Sequence, residues 1–580
     1  MLPGRGCATV KCVRILFSLL AFSFLTNLAL AQTDNWVGTT GVWSDTTQWD
    51  SGVPVAGDNI VIGTASANST DDFSLAIGTL TLGSSTDSLT IADGVALNVS
   101  GAINNAGAIQ LASAGSNTYL QITGNVSLSG TGTLTLGTTG PNYITGASGS
   151  GSEVLTNASK IQGAGSIGNG LMGFVNSGTV NANTSAGSLF INVSAANFNN
   201  TGTLQAVTGG NLVIQGPANS FLNYNSTNNT LTGGTYTANG GNIYFAGSPN
   251  GITTLAARVT QEASGQIINT TTGTNAFSNL SSIVSGGVLT TTAGFTQPGA
   301  FSMLGALNIL PKTVINVGSV SNISGTTLTG GQWVLDFNLN ITGTPANIVT
   351  NNSVFTLSGG TFQNTSNNTN AFANLAVNKS TLRILNFAHF NSVGSITNSG
   401  QMTIAAGCKL TLGGTGTSYT QTGGKTTMDG LLTGAVNVNS GTFLGAGSIT
   451  GNVSVGGKTT GIFSVGDANK AGIFKIASGS YTQTATGKLS TAIGGTTVGT
   501  QYSQLQVTGT GTATLAGTLA APLLSAYVPP VGQTFTVLTA SSVTGAFTNT
   551  TIAINSSEHF AISYTATSVV LTVTSGPAAE

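Results

Sequence analysis

From residue 78 to residue 101 the chain reads GTLTLGSSTDSLTIADGVALNVSG, with Leu, Ile and Val alternating against Thr, Ser and Asn. Period-two alternation sends successive side chains to opposite faces of an extended strand, one buried and one wet. Gly, Asp and Asn interrupt each run after a few residues, as turns do. GNLVIQG at 210–216 repeats the pattern. After residue 31 no capped stretch of ten or more residues has helical spacing, and Lys, Glu and Arg are scarce. The pattern predicts an all-β chain of short strands.

The strands recur with recognisable punctuation. The motif Asn, small, Gly, any residue, apolar occurs as NAGAI at Asn105, NSGTV at Asn176, NTGTL at Asn200, NSGQM at Asn398 and NSGTF at Asn439. Asn176 and Asn200 are 24 apart, and the other separations divide into units of about 20 to 24. Leu-Ser/Thr-Gly-Gly-x-aromatic occurs at Leu231, Leu328 and Leu357. GAGSI recurs at 163 and 445, TNAF at 274 and 369, and SYTQT at 418 and 480. A unit this short has one apolar face that it cannot bury alone, whereas stacked units pair strand on strand and share a core. The expected fold is a long right-handed parallel β-helix with an N-terminal cap and a C-terminal β cap. Asn and Gly tolerate the corners, and Asn side chains at one corner are expected to stack as an amide ladder. Residues 64–475 would supply roughly 17 to 20 coils, a solenoid of about 80 to 100 Å at ~4.8 Å per strand.

Composition narrows this further. Arg5, Lys11 and Arg14 precede an apolar run from Ile15 to Leu30 and a small-x-small site, Ala29-Leu30-Ala31. This predicts a signal peptide over 1–31, cleaved near Ala31, and an exported protein. Cys7 and Cys12 leave with it. Cys408 remains, so no internal disulfide is expected, and its setting in AAGCKL reads as a small buried hydrophobe. After residue 31 there are 11 Lys and Arg against 15 Asp and Glu, a net charge of −4. Nucleic acid is excluded as a partner, because phosphate binding needs basic charge. No later apolar run reaches the length of a membrane span.

The densest chemistry lies in NWVGTTGVWSDTTQWDSGVPVAGDNIVIG, residues 35–63. Trp36, Trp43 and Trp49 are expected to cover the apolar mouth of the first coil, with Asp45, Asp50 and Asp58, and Asp34 just before them, putting charge on the outside, because a solenoid end is an open edge. Two alternatives use the same residues: a sugar-stacking platform, and a calcium site, although no D-x-D-x-D-G loop is present. W-x-G-x-x-G-x-W-x(5)-W-x(3)-V-P, from Trp36 to Pro54, resembles the opening segment of secreted bacterial β-helix proteins of the autotransporter-passenger and filamentous-adhesin type. At the other end Tyr502, Leu505, Val507, Gly509, Leu515, Gly517, Leu519, Gly532, Phe535, Leu538 and Phe547 carry the same resemblance. It implies a β domain over 476–580 that closes the helix, secretion, and an adhesive surface role. The family continues into a membrane β-barrel; here the chain reads TSVVLTVTSGPAAE after that region, so the expectation is that either a separate partner exports or anchors it, or it is released.

Catalytic patterns were sought because parallel β-helices include polysaccharide enzymes. Asp71-Asp72 is the sole adjacent carboxylate pair, without a nearby His, Lys or Arg, and reads as a turn. Arg258, Lys312, Lys379 and Arg383 lie where carboxylates are sparse. His389 and His559 lack the partners of a metal site or triad. No catalytic residue, cofactor or metal is therefore expected. The reading is a non-enzymatic exported cell-surface or extracellular protein, adhesin-like, meeting glycans, a cell surface or matrix through a repetitive polar face. The alternatives are a polysaccharide hydrolase or lyase on the same scaffold, or a carbohydrate-binding surface protein.

Overall fold

The computed structural model describes residues 31–63, 66–195, 197–467 and 469–578. The expected signal peptide and its two cysteines lie outside the described residues, apart from Ala31 at the cleavage site. Strands make up 54% of the chain and helix 1%. They wind into a parallel β-solenoid of about 19 turns. No helix among the described residues is long and apolar enough to cross a membrane.

Each coil presents three faces. In the N-terminal half the first face stacks eight strands, from Thr33–Trp36 through Asn59–Ile62 and Leu80–Leu82 to Phe198–Asn200. The second face follows around each corner, for example Asn68–Asp71, Ser88–Ile91 and Ala108–Leu111. The third face stacks Leu75–Ile77, Ala96–Val99, Thr118–Ile122, Asn142–Gly146 and onward to Ile267–Asn269. The alternation of the sequence becomes inside and outside: Leu89, Ile91, Leu97 and Val99 are all fully buried. Stacking makes one continuous core along the chain.

Coil length is less regular than the motif spacing suggests. Successive second-face partners lie 17 residues apart at Lys425 and Thr442, and 32 apart at Thr203 and Thr235. Corner loops and hairpins absorb the difference, so the ladder stays in register while its connections vary.

Two blocks in the middle are near copies. Asn223 and Asn322 start hairpins that add one antiparallel strand to the stack. Asn223 Nδ2 donates to Asn200 O at 2.8 Å and Thr232 O at 2.8 Å. Asn322 Nδ2 donates to Met303 O at 2.6 Å and Thr329 O at 2.8 Å. Gly233-Gly234 and Gly330-Gly331, with φ between 60° and 72°, bulge the returning strands. A second hairpin type returns through TNAF, pairing back on Ile268-Asn269 and Gln363-Asn364, and there Asn275 and Asn370 accept the amides of Phe277 and Phe372 at 2.9 and 2.8 Å. LSGGTF at Leu357 is different: Leu357 ends a strand and Gly359 turns the corner, with no hairpin. The shared letters hide two structures.

Parallel stacking continues to Ser542–Gly545. The strands Thr551–Ala553, Glu558–Tyr564 and Ser568–Ser575 then pair antiparallel and close that end against Thr534–Thr539.

Candidate functional site

Three places carry polar or aromatic chemistry beyond simple packing: the capped end, the buried amide ladders, and the outside of the third face.

At the capped end Trp36, Trp43 and Trp49 are 1%, 0% and 5% exposed. Trp49 packs edge-on against both others, with ring centroids 5.1 and 5.5 Å away, and its Nε1 donates to Trp43 O at 3.0 Å. The rings pack into the core and turn no face to solvent. Asp45 caps the short 3-10 turn Thr46–Gln48, accepting from Thr47 N at 2.9 Å and Thr47 Oγ1 at 2.7 Å. The Thr47 amide and hydroxyl hold its carboxyl below the usual range. Asp50 accepts from Asn35 Nδ2 at 2.7 Å and Asn35 N at 3.0 Å, and these bonds lower it too. Both carboxylates are thus occupied with the local backbone.

Three other acids here are buried: Asp71, and also Asp34 and Asp58, which were expected outside; Asp34 falls on an inward position of Thr33–Trp36, and Asp58 is tied into its loop by the Val55 amide. Burial, then the Asp58 carboxyl beside it, pushes Asp34 up to about 6. Asp58 itself accepts from Val55 N at 2.8 Å. Asp71-Asp72 is not a turn: Asp71 ends the strand Asn68–Asp71 with its side chain inside, fully buried. Burial raises Asp71 to about 8, with the Phe73 amide opposing in part. Asp72 faces out and clamps the first coil, accepting from Ser44 N at 3.0 Å and Ser44 Oγ at 2.5 Å. The two carboxyls point to opposite sides of the strand and cannot share a substrate. The sequence signal for Asp71 was its apolar phase in NSTD, where alternation places it inward.

The amide ladder exists, in two separate runs. Asn157 donates to Asn176 and Asn176 to Asn200, each at 2.8 Å. Asn351 donates to Asn378 at 2.8 Å, Asn378 to Asn398 at 2.7 Å, and Asn398 to Gln421 Oε1 at 2.9 Å. All these side chains are fully buried. Asn105 is buried but separated from the first run, because Gly130, one step past the Asn104–Ser129 pairing, takes the next position and carries no amide. Asn439 is only half-buried and outside the second run. Asn157, Asn351 and Asn378 were missed because Ser replaces Gly in NASKI, NNSVF and NKSTL. The wider motif Asn-x-Gly/Ser-x-apolar would have found them. SYTQT marks a related device: Tyr419 and Tyr481 donate to Gln421 and Gln483 Oε1, at 3.1 and 2.7 Å. Cys408 is buried, at 1% exposure.

Outside the third face, one register position carries Tyr119, Tyr143, Ser166, Phe190, Val213, Tyr244 and Ile268 on consecutive strands. The aromatic and aliphatic members are half-buried, and Tyr119 and Tyr143 stack at 5.2 Å. Asn211 and Asn242 flank the column, and Asn242 Nδ2 donates to Tyr244 Oη at 3.3 Å. No strand of this face from Leu75 to Asn269 carries a charged residue. A cavity of about 360 Å³ opens beside the column, where Gln215 and Ala246 follow the strands of Val213 and Tyr244. Phe221, Tyr224 and Phe245 wall it, with Asn219 and Ser226 at its rim. Sequence reading missed this column because each aromatic sits in a different strand, 24 to 54 residues from the next, and lines up only through the register.

His559 Nδ1 lies 2.8 Å from Gly576 O, and His389 is exposed. Among the described residues no three His, Cys, Asp or Glu side chains gather at one place. No family model matches the chain, and no curated protein is similar to it.

Proposed function

We propose that this protein is an exported, non-enzymatic surface or matrix protein that acts in an adhesin-like way through its repetitive polar face. The supporting observation is one column on the second face. It begins at Thr70, Thr90, Gln110 and Thr135 and continues rung by rung to Thr427. Only Val334 and Arg383 depart from Thr, Gln and Asn. At ~4.8 Å per rung the column is roughly 70 Å long. Asn181 and Thr356 are buried; each of the other hydroxyls and amides binds weakly, and a partner that spans many rungs sums the contacts through high effective concentration. Export rests on the charged and apolar pattern of residues 5–31.

The test is binding of residues 32–580 to intact cells and extracellular matrix, with Thr→Glu placed at one, two or four of Thr90, Thr237, Thr290 and Thr403. Graded loss with the number of substitutions is expected. Full binding by the fourfold variant, or release of soluble product from a polysaccharide by the native protein, would overturn the proposal.

A further inference from the structure

We infer that the third face binds an uncharged, extended polysaccharide, with the chain along the Tyr119-to-Tyr244 column and one sugar in the cavity walled by Phe221, Tyr224 and Phe245. The inference goes beyond the adhesive reading of the second face: it adds a separate contact, on another face, with its own ligand class.

Four observations carry it. First, alternation elsewhere fills the outer positions with Thr, Ser and Asn, whereas this column holds Tyr, Phe, Val and Ile. Ser166 interrupts it, and the rings are half-buried on the outside of the sheet, so each leaves part of its surface open to a partner. Second, the column is one residue wide and bordered by amides such as Asn211 and Asn242. A second protein sheet or a lipid would call for a broad apolar face. A sugar chain presents narrow C–H faces bordered by hydroxyls, and rings flanked by amides match both. Third, the face has no charged residue on its strands, so an acidic glycan would find no cation to meet it. Fourth, the column is rigid and periodic. Tyr119 to Ile268 spans roughly 29 Å at ~4.8 Å per rung, about one rung for each pyranose of an extended chain. The cavity of about 360 Å³ adjoins it, with uncharged residues alone on its walls.

The experiment is retention of residues 32–580 on insoluble cellulose, chitin, mannan and xylan, with pectate and alginate beside them. The double variant Tyr143→Ser/Tyr244→Ser changes only outward positions; Ser127→Ala/Thr156→Ala, exposed partners on the first face, is the control. Circular dichroism and tryptophan emission verify that all are folded. Retention on at least one neutral glycan is expected, weakened about tenfold or more by the third-face variant and unchanged in the control. Retention on none of the neutral glycans, or equal retention by the third-face variant, would overturn the inference. If the native protein still bound cells or matrix in that case, the adhesive reading would stand and only the ligand assignment would fall.

Discussion

Replacing Asn378 with Ala tests whether the buried amides hold the solenoid together. The side chain donates to Asn398 Oδ1 at 2.7 Å and Gln401 O at 3.0 Å, and accepts from Asn351 at 2.8 Å. A longer contact reaches Ser380 O at 3.3 Å. Three good bonds at roughly 1 kcal/mol each amount to about 3 kcal/mol, and Asn398 Oδ1, left buried without this donor, adds about 1 more. The expected loss is therefore about 4 kcal/mol, near a thousandfold in local opening. A solenoid couples mainly neighbour to neighbour, so the loss stays local and a single global unfolding energy would hide it. Hydrogen exchange of peptides across 377–404 is the suitable assay. Asn439→Ala is the matched control, because Asn439 has the same motif but stands half-buried outside the run; its cost is expected to stay within about 0.5 kcal/mol. Equal costs for the two substitutions, or a loss under about 1 kcal/mol at Asn378, would refute the ladder as a source of stability.

Two further outcomes are expected. Asp71 is raised from 3.8 to about 8 by burial, so it holds its proton more tightly folded than unfolded. Asp71 should therefore stabilise the N-terminal cap most below about pH 4 and lose on the order of 5 kcal/mol as pH climbs toward 8. Asp34 adds a smaller loss ending near pH 6, while Asp45 and Asp50, held low, lose their contribution only as pH falls below the usual carboxylate range. Emission of Trp36, Trp43 and Trp49 in urea, measured in a Trp333→Phe background, reports this; a profile that Asp71→Asn fails to flatten would count against it. Gly178→Ala should cost more than about 2 kcal/mol, because an added Cβ would lie 2.1 Å from Ser159 O. Gly115→Ala, with nothing within 4 Å of the added atom, should be neutral. Urea midpoints of the two decide it.

The sequence by itself determined the kind of fold. Period-two runs such as LTL and SLTI fix which side chains face in, and that choice needs only local phase: Leu80, Leu82, Leu89 and Ile91 are inside as read. Short strands, Gly and Asn corners and recurring Asn motifs then leave stacking as the way to bury one apolar face. The sequence also marked the capped end, where aromatic and acidic residues crowd together, although it left open which way the rings face. Only the tertiary structure decided membership in a column. A residue's neighbour above and below depends on every loop length between, and stacked partners lie from 17 to 33 residues apart. That is why Asn378 joins a ladder without the expected Gly, why Asn439 stays out of it, and why Tyr143, Phe190 and Tyr244 line up from strands that share no motif. For Asp71 the alternation of NSTD turns the side chain inward, and the stacking of Thr40–Val42 and Ser88–Ile91 on either side of its strand closes it off. Inside or outside is written in each strand; what stacks on what is written in the sum of the turns.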